Sequence, residues 1–301
     1  MRGPTPKPEP RPGPKATRGS DPASAGLWVR LAVDGHFGEF LQGRLGPEGP
    51  VVLVTLPSPL TGTVVEARRA SSLQINGIDG GPDPAALTVF LHDLGLPATG
   101  HFRFRARAEA GAGTGVSTAT LVALARAAAR LAGAPPPGPE TLAQASLAVE
   151  GATDPLMLDT PSRYLWAPRR AAILEPLSEP PSFEIVGGLW GPPSPTNAAD
   201  AAFPDIADLL EDWRMAVACR DLAGLAALAR MSADRTRAHR SVAPDPLDDL
   251  ARELGAMGTA IAHTGAARAL LFAPETVPDD AEHALSEAGF RAVLRFRTPP
   301  C

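Results

Sequence analysis

The sequence predicts an α+β protein in which strands and helices are mixed without the regular alternation of repeated βαβ units. Apolar or alternating runs typical of strands, such as residues 51–56 and 102–107, are interspersed with Ala/Leu-rich stretches that have helical spacing. A second set of strands and helices follows the Pro-rich residues 175–181, which we interpret as a domain junction. Together these patterns favour an α+β sandwich in each half of the chain.

Composition narrows the class of protein. Of the 301 residues, 44% are hydrophobic and the net charge is -5, which is typical of a globular protein and lacks the basic excess of a nucleic-acid binder. No apolar run approaches the roughly 20 residues that a membrane-spanning helix needs. The two cysteines, Cys219 and Cys301, have no spacing typical of a metal site or a disulfide framework. We therefore expect a cytoplasmic protein with no nucleic-acid or membrane partner; its oligomeric state is left open.

Three regions are expected. Residues 1–26 are rich in Pro and Gly and have no apolar periodicity, so we expect a disordered, mildly basic tail. Residues 27–178 form the first domain and residues 179–301 the second. In the first domain we expect strands at 27–33, 51–56, 63–68, 72–75, 102–107, 165–166 and 171–174, and helices at 85–94, 119–131 and 141–149.

The sequence also predicts a turn and the end of a strand in the first domain. Residues 34–43 are expected to form a tight turn, and Pro57 and Pro59 are expected to end the strand before them.

In the second domain we expect strands at 182–187, 259–263, 267–272 and 291–297, and helices at 206–219, 222–232, 245–257 and 279–288.

The strongest functional signal is a glycine-rich turn that opens a helix. Gly111, Gly113 and Gly115 are followed by Val116, Ser117 and Thr118, after which the long Ala/Leu-rich helix begins. Glycines allow backbone N–H groups to approach a ligand closely, and the N-terminus of a helix attracts negative charge. The turn therefore predicts a phosphate-binding loop.

Two common phosphate loops do not match this turn. A Walker A loop needs lysine where Val116 stands, and the chain has lysine only at Lys7 and Lys15. A dinucleotide-binding GxGxxG loop needs glycine at the same position. An oxidoreductase built on a doubly wound parallel sheet is therefore the weaker alternative.

Four segments carry a resemblance to the GHMP kinases, the family named for galactokinase, homoserine kinase, mevalonate kinase and phosphomevalonate kinase. Residues 113–119 (GTGVSTA) resemble its phosphate loop. Residues 36–43 (HFGEFLQG), 149–154 (VEGATD) and 255–265 (GAMGTAIAHTG) are similar to the GELxQG, IEPTDS and AHSG-containing motifs of its L-threonine kinase branch. The four segments stand in the family's order, and the resemblance covers residues 27–298.

This resemblance implies a two-domain GHMP kinase fold, in which the N-terminal, ATP-binding domain is similar to domain 2 of ribosomal protein S5 and the C-terminal domain is ferredoxin-like. It also implies a phosphotransferase that moves the γ-phosphate of ATP, with Mg²⁺, to the hydroxyl of a small molecule. L-threonine is the first acceptor that it suggests, in a pathway related to cobalamin side-chain assembly.

The resemblance also implies site residues. The nucleotide-binding residues would be Gly111, Gly113, Thr114, Gly115, Val116, Ser117, Thr118, Thr264 and Gly265. Ser117 and Glu150 would hold the metal, and Asp154 would complete the catalytic set by orienting the acceptor hydroxyl or accepting its proton. His36, Glu39 and Gln42 would line the acceptor pocket.

Simpler interpretations of these residues stay open. Ser117 could cap the helix, Glu150 could be a solvated helix end, Asp154 could form a turn before Pro155, and the pair Thr264–Gly265 could be a plain hairpin turn.

The chain also departs from the family pattern. Val116 replaces the first serine of the loop, the family proline is missing from residues 106–110, and Thr120 stands where the threonine-kinase branch has aspartate. A nucleotide- or metabolite-binding protein derived from a GHMP kinase, without turnover, is therefore the alternative function.

Overall fold

The computed structural model describes residues 27–78, 82–194, 197–200, 202–240 and 244–298. These residues form an α+β fold, as the sequence predicts. The strands are β1 (Val29–Arg44), β2 (Val51–Arg68), β3 (Leu73–Asn76), β4 (Gly100–Ala106), β5 (Tyr164–Ala167), β6 (Ala172–Pro176), β7 (Glu184–Leu189), β8 (Gly258–Ile261), β9 (Ala267–Phe272) and β10 (Arg291–Arg297). The helices are α1 (Pro84–Asp93), α2 (Val116–Ala132), α3 (Pro139–Glu150), α4 (Ala207–Ala218), α5 (Leu222–Arg240), α6 (Leu247–Glu253) and α7 (Ala281–Glu287).

One sheet runs through both halves of the chain. Its strand order is β10-β7-β9-β8-β1-β2-β4-β3; β5 pairs with β2, and β6 pairs with β5. The pairs are antiparallel apart from β3 and β4. The two halves of the sheet join where β1 meets β8, through the single residue pair Glu39 and Ile261. Glu39, within the segment 36–43, therefore lies at the join.

Helix α2 is the central helix of the N-terminal half. It packs on β1 and β2, and residues 118–125 and 127–129 are all buried. Most of these residues are Ala, which lets the helix axis come close to the sheet, while Leu121 and Leu124 each contribute about 1.5–3 kcal/mol by burial. This packing holds the N-terminus of α2 firmly against the strands that border it.

The expected turn across residues 34–43 is wrong, because these residues continue β1. The strand accommodates them through shifts in its pairing with β2 at Asp34/Gly35, His36/Glu39 and Glu39/Leu41. The expected end of the strand at Pro57 and Pro59 is also wrong, because β2 continues through both prolines. Pro57 lies opposite His36, at one of these irregular pairs, where the sheet tolerates a residue without an N–H donor.

Two helices differ in length from their sequence patterns. Helix α5 continues past Ser232 to Arg240, because ion pairs from Arg235 to Asp208 and from Arg237 to Asp248 support its last turns. Helix α6 ends early, where Gly255 adopts a φ of 68° and the Ala256 N–H donates to the carbonyl of Ala251. That 6→1 hydrogen bond is a Schellman-type end, which the apolar spacing does not reveal.

The other predicted strands and helices are present within a few residues of their expected ends. The proposed tail, residues 1–26, and Cys301 lie outside the described residues, and the division into domains at 178/179 stays a prediction. Cys219 is exposed as a free thiol. Within the described part of the chain, no helix is both long and apolar enough to cross a membrane.

Candidate active site

The glycine loop leads into α2 through left-handed backbone. Gly111, Gly113 and Gly115 have φ angles of 76°, 76° and 71°, which residues with a Cβ adopt only at a cost. Gly115 occupies the N-cap position, and no described side chain caps the N-terminus of α2. Ser117 is therefore not the cap; it lies exposed in the first turn. An uncapped helix start is suited to binding an anion through its backbone N–H groups.

The hairpin between β8 and β9 packs directly on this loop. The Ala267 N–H donates to the Ala112 carbonyl at 2.9 Å. A Cβ on Gly113 would overlap the carbonyl oxygen of Thr264, and a Cβ on Gly265 would lie 2.6 Å from the Gly113 nitrogen. Thr264 and Gly265 therefore belong to the same site as the glycine loop, although about 150 residues separate them in sequence.

Glu150, the last residue of α3, faces the first turn of α2. Thr118 Oγ1 donates to Glu150 Oε2 at 2.9 Å. Burial raises the pKa of Glu150 to about 8, although hydrogen bonds from Ser117 and Thr118 act in the opposite direction. The C-terminus of a helix also disfavours a negative charge. Among the described residues, Glu150 forms no ion pair.

This environment fits a divalent cation. The Glu150 carboxylate lies near hydroxyl groups and has no positively charged side chain paired with it among the described residues. It therefore offers the hard oxygen ligands that Mg²⁺ prefers. A bound cation would also favour the ionised form of Glu150 that burial disfavours. The Ser117–Glu150 arrangement is thus consistent with the metal site expected from the sequence.

Asp154, His36 and Glu39 form a chain of contacts that leads into the protein. His36 Nε2 lies 3.2 Å from Asp154 Oδ2, and His36 Nδ1 lies 3.4 Å from Glu39 Oε1. The side chains are 26%, 5% and 0% exposed in the order Asp154, His36 and Glu39. Asp154 is therefore the one of these three side chains that a ligand can reach.

The charges along this chain follow from burial and proximity. Burial opposes a charge on His36, but the carboxylates of Asp154 and Glu39 outweigh it and raise the pKa of His36 to about 9. Burial raises the pKa of Glu39 to about 8, against the opposing effect of His36. The neighbouring carboxylates thus favour the charged imidazole of His36, whereas burial disfavours the ionised form of Glu39.

The three side chains offer one ligand atom each within 4.8 Å of one another, as a metal site would. The two nitrogens of the imidazole, however, face different carboxylates. This arrangement, with Asp154 and Glu39 on opposite sides of one imidazole, suits a series of side-chain contacts better than a shared ion.

His36 and Gln42 are both held by the surrounding backbone. The His36 N–H donates to the Thr114 carbonyl at 3.2 Å, and a Cβ on Gly115 would lie 2.6 Å from His36 Cδ2. Gln42 is buried and donates from Nε2 to the Ile261 carbonyl at 3.0 Å. The structure thus places His36 behind the glycine loop and Gln42 at the join of β1 with β8; the expected role of both in acceptor binding stays a prediction.

Thr120, the main departure from the threonine-kinase pattern, serves packing. It is buried, donates from Oγ1 to the Val116 carbonyl at 2.8 Å, and lies 3.0 Å from Thr63 Oγ1. These contacts join α2 to β2. The substitution at this position therefore leaves the contacts among Ser117, Thr118 and Glu150 in place.

The structure also brings in three residues that sequence analysis did not single out. Arg169, Phe203 and Arg240 meet His263, which belongs to the segment 255–265, beside the site. They come from four segments far apart in the chain, and residues 169–170 read only as a turn in the sequence. No local pattern links them, so only their three-dimensional proximity could have identified them.

Comparison with solved structures identifies the fold. Mevalonate kinase from L. major, in complex with R-mevalonate, is 16% identical, with a TM-score of 0.62 over 92% of this chain and 97% of that one. Homoserine kinase from Cytophaga hutchinsonii is 14% identical, with a TM-score of 0.61 over 90% and 95% of the two chains. Galactokinase from Lactococcus lactis, complexed with galactose, is 11% identical, with a TM-score of 0.59 over 89% and 93%.

No family model matches the sequence, and no curated protein matches it. The similar structures are members of the GHMP kinase family. The chain therefore has the GHMP kinase fold, as expected from the four sequence segments.

Proposed function

We propose that this protein is a kinase that transfers the γ-phosphate of ATP to an alcohol hydroxyl of a small molecule. One observation carries the proposal. A left-handed glycine loop, a hydroxyl–carboxylate pair (Ser117 and Glu150) and an accessible carboxylate (Asp154) meet at the N-terminus of α2. Phosphoryl transfer needs a cradle for the phosphates, a cation and an oriented acceptor, and these are the groups that supply them.

The glycine loop would hold the nucleotide phosphates. Residues 111–118 would bind them with backbone N–H groups and the positive end of α2, and Thr264 and Gly265 would close the loop from the other side. The side chain of Val116 does not alter this arrangement, because its backbone N–H belongs to the same helix start. Backbone donors explain how the chain would bind a triphosphate without a lysine.

Ser117 and Glu150 would hold Mg²⁺. When it is bound, the ion neutralises the negative charge on the phosphate oxygens. Thr118 would orient the Glu150 carboxylate through its hydrogen bond to Oε2. The uncompensated carboxylate at the end of α3 is what supports this assignment.

Asp154 would orient the acceptor hydroxyl or accept its proton. Its Oδ2 faces the imidazole of His36, which leaves Oδ1 for the acceptor. The Asp154 N–H also donates to Thr118 Oγ1 at 3.3 Å. Thr118 therefore connects Asp154 to Glu150 of the proposed metal site. We propose that His36 positions Asp154, and that Glu39 supports His36 from behind.

L-threonine is the first acceptor to test, because residues 36–43, 149–154 and 255–265 resemble the motifs of the threonine-kinase branch. A role in cobalamin side-chain assembly would follow from that acceptor. The alternative is a protein that binds a nucleotide or metabolite without turnover, which the departures at Val116 and Thr120 motivate. The contacts among Thr118, Glu150, Asp154 and His36 favour turnover.

Transfer of labelled phosphate from Mg-ATP to a panel of hydroxy amino acids and related alcohols tests the proposal. Asp154→Asn keeps the size of the side chain, so we expect kcat to fall by about 10²–10⁴-fold while ATP binding is retained. Asp159→Asn, which changes an exposed residue nearby, serves as the matched control and should leave kcat unchanged. ATP binding without transfer to any acceptor would favour the binding protein instead.

A further inference from the structure

The N-terminal half of the sheet has one covered face and one open face. Helix α2 packs on the covered face, against side chains such as Val65 and Phe104. Residues that alternate with these along β1, β2 and β4 point to the other side, where they meet solvent. We call this surface the outer face; the residues that define it are Trp28, Arg30, Glu66, Arg68, Arg103 and Arg105.

The outer face has four arginines and one acidic residue. Arg30, Glu66 and Arg103 lie directly across from one another on three adjacent strands, and Arg68 and Arg105 follow two residues along β2 and β4. Within the part of the chain that the structure describes, none of the four arginine side chains forms an ion pair or a hydrogen bond. The whole chain has a net charge of -5, so this basic surface is not a consequence of composition.

Trp28 holds two of these arginines side by side. The guanidinium carbons of Arg68 and Arg103 lie 4.9 Å and 4.5 Å from the centre of its ring. Contact with an aromatic ring stabilises a guanidinium group and leaves its N–H groups at the edge, where a carboxylate can accept them in pairs. The two arginines are therefore positioned for carboxylates that no described residue supplies.

His101 lies beneath this cluster and is affected by its charge. The imidazole meets the edge of the Trp28 ring at 5.3 Å, and its Nε2 lies 2.9 Å from Asn76 Oδ1. Burial, followed by the charges of Arg103 and Arg68, lowers the pKa of His101. An anion bound to the two arginines would oppose their effect and raise this pKa. His101 can therefore report whether the outer face is occupied.

We propose that the outer face docks an acidic segment of another protein, whose carboxylates pair with Arg68 and Arg103. Trp and Arg are the side chains that most often dominate the binding energy of protein interfaces. Leu27, which is 95% exposed beside Trp28, would add an apolar contact. This surface and α2 lie on opposite sides of the sheet, so the inference does not depend on the proposed kinase function.

Other occupants fit the outer face less well. Residues 1–26 contain five basic and two acidic residues, so their charge has the same sign as that of the face. A second copy of the chain in a two-fold arrangement would bring the same arginines together. A nucleic acid or a membrane would use the Trp28 ring for stacking or insertion, but this ring already contacts two guanidinium groups.

Fluorescence anisotropy of a labelled peptide of repeated Glu-Glu-Leu units, with blocked termini, tests the proposal. The comparison ligands are a Lys-Lys-Leu peptide, oligouridylate of the same charge, and vesicles that contain phosphatidylserine. The proteins are the unchanged full chain, Arg68→Gln, Arg103→Gln, Glu66→Gln, and Arg163→Gln, which alters an exposed, unpaired arginine outside the outer face as a matched control. Melting temperatures show whether each variant keeps its fold.

We expect the acidic peptide to bind and the basic one not to bind. Arg68→Gln and Arg103→Gln should each weaken the acidic peptide about 5- to 10-fold, as for loss of a charged hydrogen bond at a partly exposed site. Glu66→Gln should strengthen it about 2- to 5-fold, because the one acidic residue of the face is removed. Arg163→Gln should not change it. On binding, the pKa of His101, followed by NMR, should rise.

Three results would overturn the proposal. Equal affinity of the acidic peptide for the full chain and for both Arg68→Gln and Arg103→Gln would show that it binds elsewhere. Tighter binding of oligouridylate or vesicles through the same arginines would mean that the partner belongs to another class. Self-association of the chain that is lost in Arg103→Gln, measured by sedimentation, would make the outer face a contact between copies.

Discussion

The two sides of the proposed site use different chemical groups, backbone N–H groups on one side and charged side chains on the other. The phosphate side, residues 111–118 with Glu150, relies on backbone N–H groups and the start of a helix, and most of it is contiguous in sequence. The acceptor side, with His36, Glu39 and Asp154, relies on charged side chains that lie far apart in sequence. Backbone donors survive a substitution such as Val116, whereas a single changed side chain can alter what the acceptor side binds. We therefore expect ATP binding to be robust and acceptor choice to be sensitive to mutation.

The largest expected effect concerns Glu150, the carboxylate of the phosphate side. Glu150→Ala should lower Mg²⁺-dependent kcat by about 10²–10³-fold, because removal of a group that stabilises transition-state charge costs roughly 3–4 kcal/mol. Steady-state kinetics over a range of Mg²⁺ concentrations measures this effect. Glu140→Ala, at the exposed start of the same helix, is the control and should keep its kcat. Full activity of the Glu150 variant would mean that the metal lies elsewhere.

A smaller effect, on folding, tests whether the hairpin really holds the glycine loop. Gly113→Ala should destabilise the protein by roughly 3 kcal/mol, from a left-handed residue and an overlap with the Thr264 carbonyl. Gly133→Ala has a similar φ of 70° but nothing within 4 Å of the added Cβ, so it should cost only about 1 kcal/mol. Urea denaturation measures both. Equal destabilisation would show that the packing of the hairpin on the loop adds nothing.

The smallest effect is the pH dependence of stability without ligand. The pKa of Glu150 in the folded state, about 8, lies above its ordinary value of 4.5. Between these values the folded state keeps a proton that the unfolded state releases, so this contribution is lost as the pH rises from about 5 to 8. Glu150→Gln should therefore make the free energy of unfolding less steep in this range, by at most about 1.4 kcal/mol per pH unit. Denaturation at four pH values checks this, and parallel curves for the two proteins would contradict a buried, protonated Glu150.

The phosphate side could be predicted from sequence because its signal is local. Three alternating glycines ahead of an Ala/Leu-rich helix specify both the turn and the helix, although α2 begins at Val116, three residues earlier than expected. The fold class was predictable for a related reason, since the periods of strands and helices appear directly in the chain. The turn expected at residues 34–43 was wrong because glycines also mark irregular strands, and only the pairing with β2 distinguishes the two.

By itself, the sequence determined the elements of this protein and the loop that we propose binds phosphate, because helix period, strand period and left-handed glycines are properties of neighbouring residues. Only the tertiary structure decided which distant side chains meet. It placed His36 against Asp154 across 118 residues, and it gathered Arg169, Arg240 and His263 around Phe203. Such contacts depend on how the sheet joins at Glu39 and Ile261 and on which groups burial leaves without partners. Neither property is written in any short stretch of the chain.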